Sequence, residues 1–166
     1  MICSFGRSRM RNEMKMDLSV FKKLKQVEIG NECFEHVREF VIDGLESLES
    51  VKIGEWCFRI GGNERDDGVC RIANCPNLHQ LNLGYDSFSD FQSFEISNVN
   101  SLQSIKFDED CFKYAEDFSL KGEWKERKKC DLNEDEHDVI DLPSLEIVTF
   151  GRYTFTCNHV VVFESM

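Results

Sequence analysis

The chain has 166 residues, 41% of them apolar, a formal net charge of −11 and a pI near 4.8. Such a length and apolar content predict one globular or repetitive domain and argue against a wholly disordered chain. The acidity argues against a nucleic-acid backbone or an anionic membrane as the main partner, because both are held by clustered Lys and Arg.

The first twenty residues carry Arg7, Arg9, Arg11 and Lys15 with no apolar stretch behind them. No apolar run reaches the roughly 18 residues of a membrane helix, so neither a signal peptide nor an anchor is expected. A cytoplasmic location with reduced thiols is the corresponding expectation for the eight cysteines.

In chain order, one eight-residue block then returns: apolar, any, apolar, glycine, two polar, small, phenylalanine. It reads CSFGRSRM in a worn copy at 3–10, VEIGNECF at 27–34, VKIGEWCF at 51–58, LNLGYDSF at 81–88, IKFDEDCF at 105–112 and VTFGRYTF at 148–155. The block starts are 24, 24, 30, 24 and 43 residues apart. A period in this range is the signature of a stacked array, and one domain over 1–166 is expected.

The remainder of the unit repeats too. A leucine precedes each full block by three residues (Leu24, Leu48, Leu78, Leu102, Leu145), and Phe21, Leu45, Cys75, Val99 and Leu142 stand three before that. After the block comes a second pair at period two: Phe40 and Ile42, Phe94 and Ile96, Phe118 and Leu120, Val161 and Phe163, with Met16 and Leu18 in the same register. Alternation of this kind predicts two short half-buried strands per unit and little helix. Stacking such units about 4.8 Å apart pairs the strands in parallel and superposes like side chains. Phe34, Phe58, Phe88, Phe112 and Phe155 are therefore expected to form one buried column.

The glycine after the first strand (Gly6, Gly30, Gly54, Gly84, Gly151) is expected to take positive φ, with Asp108 as its tolerated replacement. The small position reads Cys33, Cys57, Ser87, Cys111 and Thr154, an interchange that predicts compact buried side chains rather than disulfides. Insertions are expected at 61–68 and 121–139. The second holds Trp124, a basic run (Lys125, Arg127, Lys128, Lys129) and an acidic run (Glu134, Asp135, Glu136, Asp138), read as mutually paired in a solvated loop.

The unit LxxLxxΦxΦGxx[CAST]F, where Φ is apolar, resembles leucine-rich repeats, and its IGxxCF core is similar to the IGxxAF core of the BspA-like subclass. The resemblance spans nearly the whole chain apart from the insertions. It implies a right-handed leucine-rich-repeat-type solenoid of five to six coils, starting near 3, 27, 51, 81, 105 and 148. Glycine stands where many leucine-rich repeats place asparagine after the strand, so a second strand per coil is expected in place of an outer helix. The resemblance also implies a surface for protein recognition without shared catalytic residues.

Few residues suggest chemistry. Cys70, Cys75 and His79 are the nearest approach to a metal site, yet their spacing lacks a second ligand pair, and Cys70 and Cys75 fall on core positions of the unit. His36, His137 and His159 have no triad-like setting, and no phosphate-cradling loop is present, Gly61 and Gly62 included. No cofactor and no catalysis are expected.

The expected working surface is the outward ladder of the first strands. Its rows are Gln26, Ser50, Gln80, Ser104 and Ile147, beside Glu28, Lys52, Asn82, Lys106 and Thr149. A second, mixed ladder runs through Val41, Arg71, Glu95, Ser119 and Val162. A protein partner is expected on the first ladder. The alternatives are a segment of a longer array that self-associates through uncapped ends, and a metal-binding protein using Cys70, Cys75 and His79.

Overall fold

A computed structural model describes residues 2–5, 15–60, 68–121 and 143–156, the first four by backbone alone. Eleven short strands account for its regular structure, and no helix occurs among the described residues. The strands are β1 (Ile2–Phe5), β2 (Lys15–Asp17), β3 (Gln26–Ile29), β4 (Glu39–Asp43), β5 (Ser50–Ile53) and β6 (Gly68–Ala73). They continue as β7 (Gln80–Leu83), β8 (Phe91–Ser97), β9 (Ser104–Phe107), β10 (Asp117–Lys121) and β11 (Ile147–Phe150).

Strands alternate between two sheets. The odd-numbered ones form a six-stranded sheet in the order β1-β3-β5-β7-β9-β11, and the even-numbered ones a five-stranded sheet in the order β10-β8-β6-β4-β2. Every pairing is parallel. Residues at equal block positions are partners: Val27 with Val51, Val51 with Leu81, Leu81 with Ile105, and Ile105 with Val148. Phe40, Cys70, Phe94 and Phe118 are likewise matched across the second sheet. The two expected strands per unit are thus both present where the residues are described.

The core lies between the sheets. Val27, Ile29, Val51, Ile53, Leu81, Leu83, Ile105 and Phe107 face it from one side, and Phe40, Ile42, Cys70, Ile72, Phe94, Ile96 and Leu120 from the other. The leucines at the entrance to the first sheet, Leu24, Leu48, Leu78 and Leu102, are buried as well. The expected phenylalanine column is formed. Ring centroids are 5.2 Å apart for Phe34 and Phe58, 4.5 Å for Phe58 and Phe88, 5.0 Å for Phe88 and Phe112, and 5.3 Å for Phe112 and Phe155. Phe40 and Phe94 lean on it from the second sheet, at 4.8 Å from Phe58 and 4.7 Å from Phe112. Burial contributes roughly 1.5–3 kcal/mol per ring and stacking about 0.5–1.5 kcal/mol per pair.

The expectation for the block glycine is corrected. Gly30, Gly54, Gly84, Gly151 and Asp108 do not take positive φ; the left-handed residues are two and four places further on. They are Glu32 and Phe34, Trp56 and Phe58, Asp86 and Phe88, Asp110 and Phe112, and Tyr153 and Phe155, with φ between 47° and 61°. Glycine is needed for close approach instead. A Cβ on Gly84 would lie 2.6 Å from the carbonyl carbon of Gly54, and one on Gly54 would lie 2.8 Å from that of Gly30. Nothing in the structure explains how Asp108 is accommodated at the same position.

Reversal of the backbone at these places serves hydrogen bonding between units. The N–H at the glycine position points one way, from Gly54 to the Ile29 carbonyl and from Gly84 to that of Ile53, at 2.9 Å each. Two residues on, the N–H groups of Trp56 and Asp86 point the other way, to the carbonyls of Tyr85 and Glu109, at 2.8 and 2.9 Å. Phe58 and Phe88 then donate back to Cys33 and Cys57, at 3.0 and 2.9 Å. Donors buried in the turn thereby find acceptors in both neighbouring units.

The turn after the second sheet is built differently. Its left-handed residues are Gly44, Asn74 and Asn98. Asn74 Nδ2 donates to Asp43 Oδ1 at 2.7 Å, and Asn98 Nδ2 to Asn74 Oδ1 at 2.8 Å, an amide ladder that binds three successive units. Of the expected insertions, Gly68 opens β6 and Lys121 closes β10; 61–67 and 122–139 lie outside the described residues, as do Gly6, Leu142, Val161, Val162 and Phe163.

Candidate functional site

The outward residues of the odd-numbered strands form two rows in common register. Gln26 pairs with Ser50, Ser50 with Gln80, Gln80 with Ser104, and Ser104 with Ile147; Glu28, Lys52, Asn82, Lys106 and Thr149 run alongside. Period two along each strand turns every one of these side chains away from the core, and each is exposed or half-exposed. Gly30, Gly54 and Gly84 hold the units close at the end of this surface, so its spacing is fixed by backbone contact.

Its charges are partly self-compensated. Lys52 Nζ lies 3.8 Å from Glu28 Oε1 across the strands, and Lys106 Nζ lies 2.8 Å from Asp108 Oδ1. One residue upstream of the strands, Lys25 Nζ donates to Glu49 Oε1 at 2.8 Å. That bond raises the Lys25 ammonium above its ordinary pKa and lowers the Glu49 carboxyl below its own. These pairs are solvent-exposed and screened, so they orient the side chains more than they stabilise the fold. Gln26, Ser50, Gln80, Ser104, Asn82 and Thr149 leave uncharged donors and acceptors between them.

The second ladder also carries ion pairs between neighbouring strands. Arg71 Nε lies 3.8 Å from Glu95 Oε2, and at the far strand Lys15 Nζ lies 2.8 Å from Glu39 Oε1. Val41 and Ser119 hold its remaining described places.

The small block position carries a role that compactness alone does not reveal. Cys57 Sγ donates to the Gly30 carbonyl at 2.9 Å, Ser87 Oγ to that of Gly54 at 2.6 Å, Cys111 Sγ to that of Gly84 at 3.0 Å, and Thr154 Oγ1 to that of Asp108 at 3.2 Å. Cysteine, serine and threonine interchange here because all three are small and all three donate. Burial pushes the thiols of Cys57 and Cys111 up to about 12. Such thiols are poor nucleophiles and poor metal ligands at neutral pH.

Cys70, Cys75 and His79 do not converge on a site. Cys70 is buried in β6 opposite Phe40 and Phe94, with its thiol raised well above the ordinary value by burial. Cys75 Sγ donates to the Ala73 carbonyl at 3.2 Å, and its thiol is pushed up to about 11. The backbone of His79 links Glu49 to Gln103. Among the described residues no group of three His, Cys, Asp or Glu could hold a metal ion. His36 Nδ1 is engaged with the Ile60 carbonyl at 2.8 Å. His137, His159, Gly61, Gly62, Trp124 and the charged runs within 125–138 lie outside the described residues.

Sequence reasoning passed over the pair Trp56 and Tyr85. Their rings meet edge to face with centroids 6.0 Å apart, and they are 42% and 37% exposed. The signal was present, because both aromatics occupy block positions that are otherwise mostly polar.

Compared with known protein families, with characterised proteins and with solved structures, the chain matches none. Among the described residues no helix is long and apolar enough to cross a membrane.

Proposed function

We propose that the chain is a right-handed solenoid of the leucine-rich-repeat type, BspA-like in pattern, that acts as a non-catalytic protein-binding scaffold in the cytoplasm. Its contact surface is the ladder of Gln26, Glu28, Ser50, Lys52, Gln80, Asn82, Ser104, Lys106, Ile147 and Thr149. The observation that carries the reading is the common register of both rows over five strands. A parallel sheet of this kind offers an extended, regularly spaced set of hydrogen-bonding groups, which suits recognition of another protein and needs no cofactor.

Reversing the charge of Lys52 and Lys106 together tests it. The variant Lys52→Glu with Lys106→Glu keeps the fold, by circular dichroism, and loses partners that the unaltered chain retains in affinity capture. Retention of every partner by the folded variant contradicts the reading.

A second reading, association of copies edge to edge, is favoured by one observation. On β11 and the turn after it, Ile147 is 58% and Tyr153 61% exposed, with Phe150 beside them at 41%. Sedimentation distinguishes the two, since a strictly monomeric chain removes this one.

A further inference from the structure

We propose that Trp56 and Tyr85 form a receptor for a cationic side chain, Lys or Arg, presented by a basic protein partner. The inference rests on the reading of the chain as a binding module but assigns a second contact surface, on the turn beside the ladder, and the chemistry of what it takes.

The block rows place the two residues between acidic residues of the neighbouring units. Tyr85 stands in the row Glu55, Tyr85, Glu109, and Trp56 in the row Glu32, Trp56, Asp86. Hydrogen bonds between units fix these rows: Glu32 N–H donates to the Glu55 carbonyl, Trp56 N–H to that of Tyr85, and Asp86 N–H to that of Glu109, all at 2.8–2.9 Å. An edge-to-face aromatic pair set among acidic residues is complementary to a cation, through the quadrupole of its open ring face and through charge. The net charge of −11 favours approach of a basic partner.

The same turn shows this chemistry already satisfied elsewhere. Lys113 Nζ lies 5.6 Å from the centroid of the Tyr153 ring and 5.8 Å from that of Tyr114, and forms an ion pair with Asp110, 2.9 Å from Oδ1. There the cation comes from within the chain. At Trp56 and Tyr85 no cation of the described residues lies over either ring, and the nearby Arg59 is drawn to Asp86, with Nε 3.2 Å from Oδ2. Backbone conformation points the same way. Trp56 holds φ 54° while partly exposed, a place that Asp86 and Asp110 fill at lower steric cost in the next two units.

The test is a titration with a capped peptide of alternating glycine and arginine at about 0.15 M salt, where long-range attraction is largely screened. In a Trp124→Phe background Trp56 is the remaining tryptophan, and its emission is expected to change saturably with the peptide. Anisotropy of the labelled peptide then follows the variants. Trp56→Asn, which tolerates left-handed backbone, and Tyr85→Ala each weaken binding by about threefold to thirtyfold, the range of one cation–π contact. Glu55→Gln with Glu109→Gln weakens it further and flattens its salt dependence. A peptide of alternating glycine and aspartate does not bind.

Absence of saturable binding overturns the proposal. So does binding that survives loss of both rings, which assigns the attraction to charge alone. The ladder variant Lys52→Glu with Lys106→Glu binds this peptide at least as well. A flat titration alongside partners lost from the ladder variant removes the aromatic receptor and leaves the scaffold reading standing.

Discussion

After β4, β6 and β8 the chain turns through Gly44, Asn74 and Asn98, residue types that enter left-handed backbone at little cost. After β3, β5, β7 and β9 it makes the same kind of excursion at Glu32, Phe34, Trp56, Phe58, Asp86, Phe88, Asp110 and Phe112. An ordinary side chain there costs roughly 1–2 kcal/mol per residue. At the phenylalanines, burial and stacking together exceed that cost. At Glu32 and Trp56, which are exposed, hydrogen bonds between units oppose it, joined at Trp56 by the edge contact with Tyr85. One turn is specified by local chemistry and the other by contact between units, so the second kind is sensitive to changes that leave local propensity untouched.

The largest break in this contrast is expected from Phe58→Ala. It empties the middle of the column, where Phe58 touches Phe34, Phe40 and Phe88, and costs about 3–5 kcal/mol in chemical denaturation. Gly84→Ala comes next. Its new Cβ meets the Gly54 carbonyl carbon at 2.6 Å, forcing units apart at a cost of about 1–3 kcal/mol, whereas an alanine exchange at a glycine needed only for freedom of φ would leave spacing unchanged.

Smaller effects separate size from donation at Cys57. Cys57→Ala removes the bond to the Gly30 carbonyl and costs about 1 kcal/mol, while Cys57→Ser, copying Ser87, keeps it and is nearly neutral at pH 7. The pair also has a pH signature. An unfolded thiol ionises near 9.0 and that of Cys57 in the fold only near 12, so between those values the unfolded chain holds fewer protons. Stability therefore falls as pH rises through that window, by about 1.4 kcal/mol per pH unit for each such thiol, and Cys57→Ser makes the fall less steep.

Much of the fold was legible because like residues recur at like positions. The register of both sheets, the column from Phe34 to Phe155 and the outward rows all follow from the spacing of Val27, Val51, Leu81, Ile105 and Val148. The left-handed positions were not legible at Phe58 or Phe88. Which way an N–H must point there depends on the carbonyl of a neighbouring unit, and no local preference of phenylalanine reports that. Gly54 and Gly84 drew the assignment of positive φ to themselves, although what requires them is the nearness of the next backbone. Asn74 and Asn98 carried the correct signal in the other turn. Within the candidate site the ladder was visible through period two, whereas the pairing of Trp56 with Tyr85 joins different block positions in adjacent units and appears only once the units are stacked.

The claim on which all of this depends is that rings from successive units support one another directly. A double-mutant cycle on Phe58 and Phe88, whose centroids lie 4.5 Å apart at 6°, measures it. The two alanine substitutions are expected to be non-additive, with a coupling of about 0.5–1.5 kcal/mol. Strictly additive losses would contradict that claim.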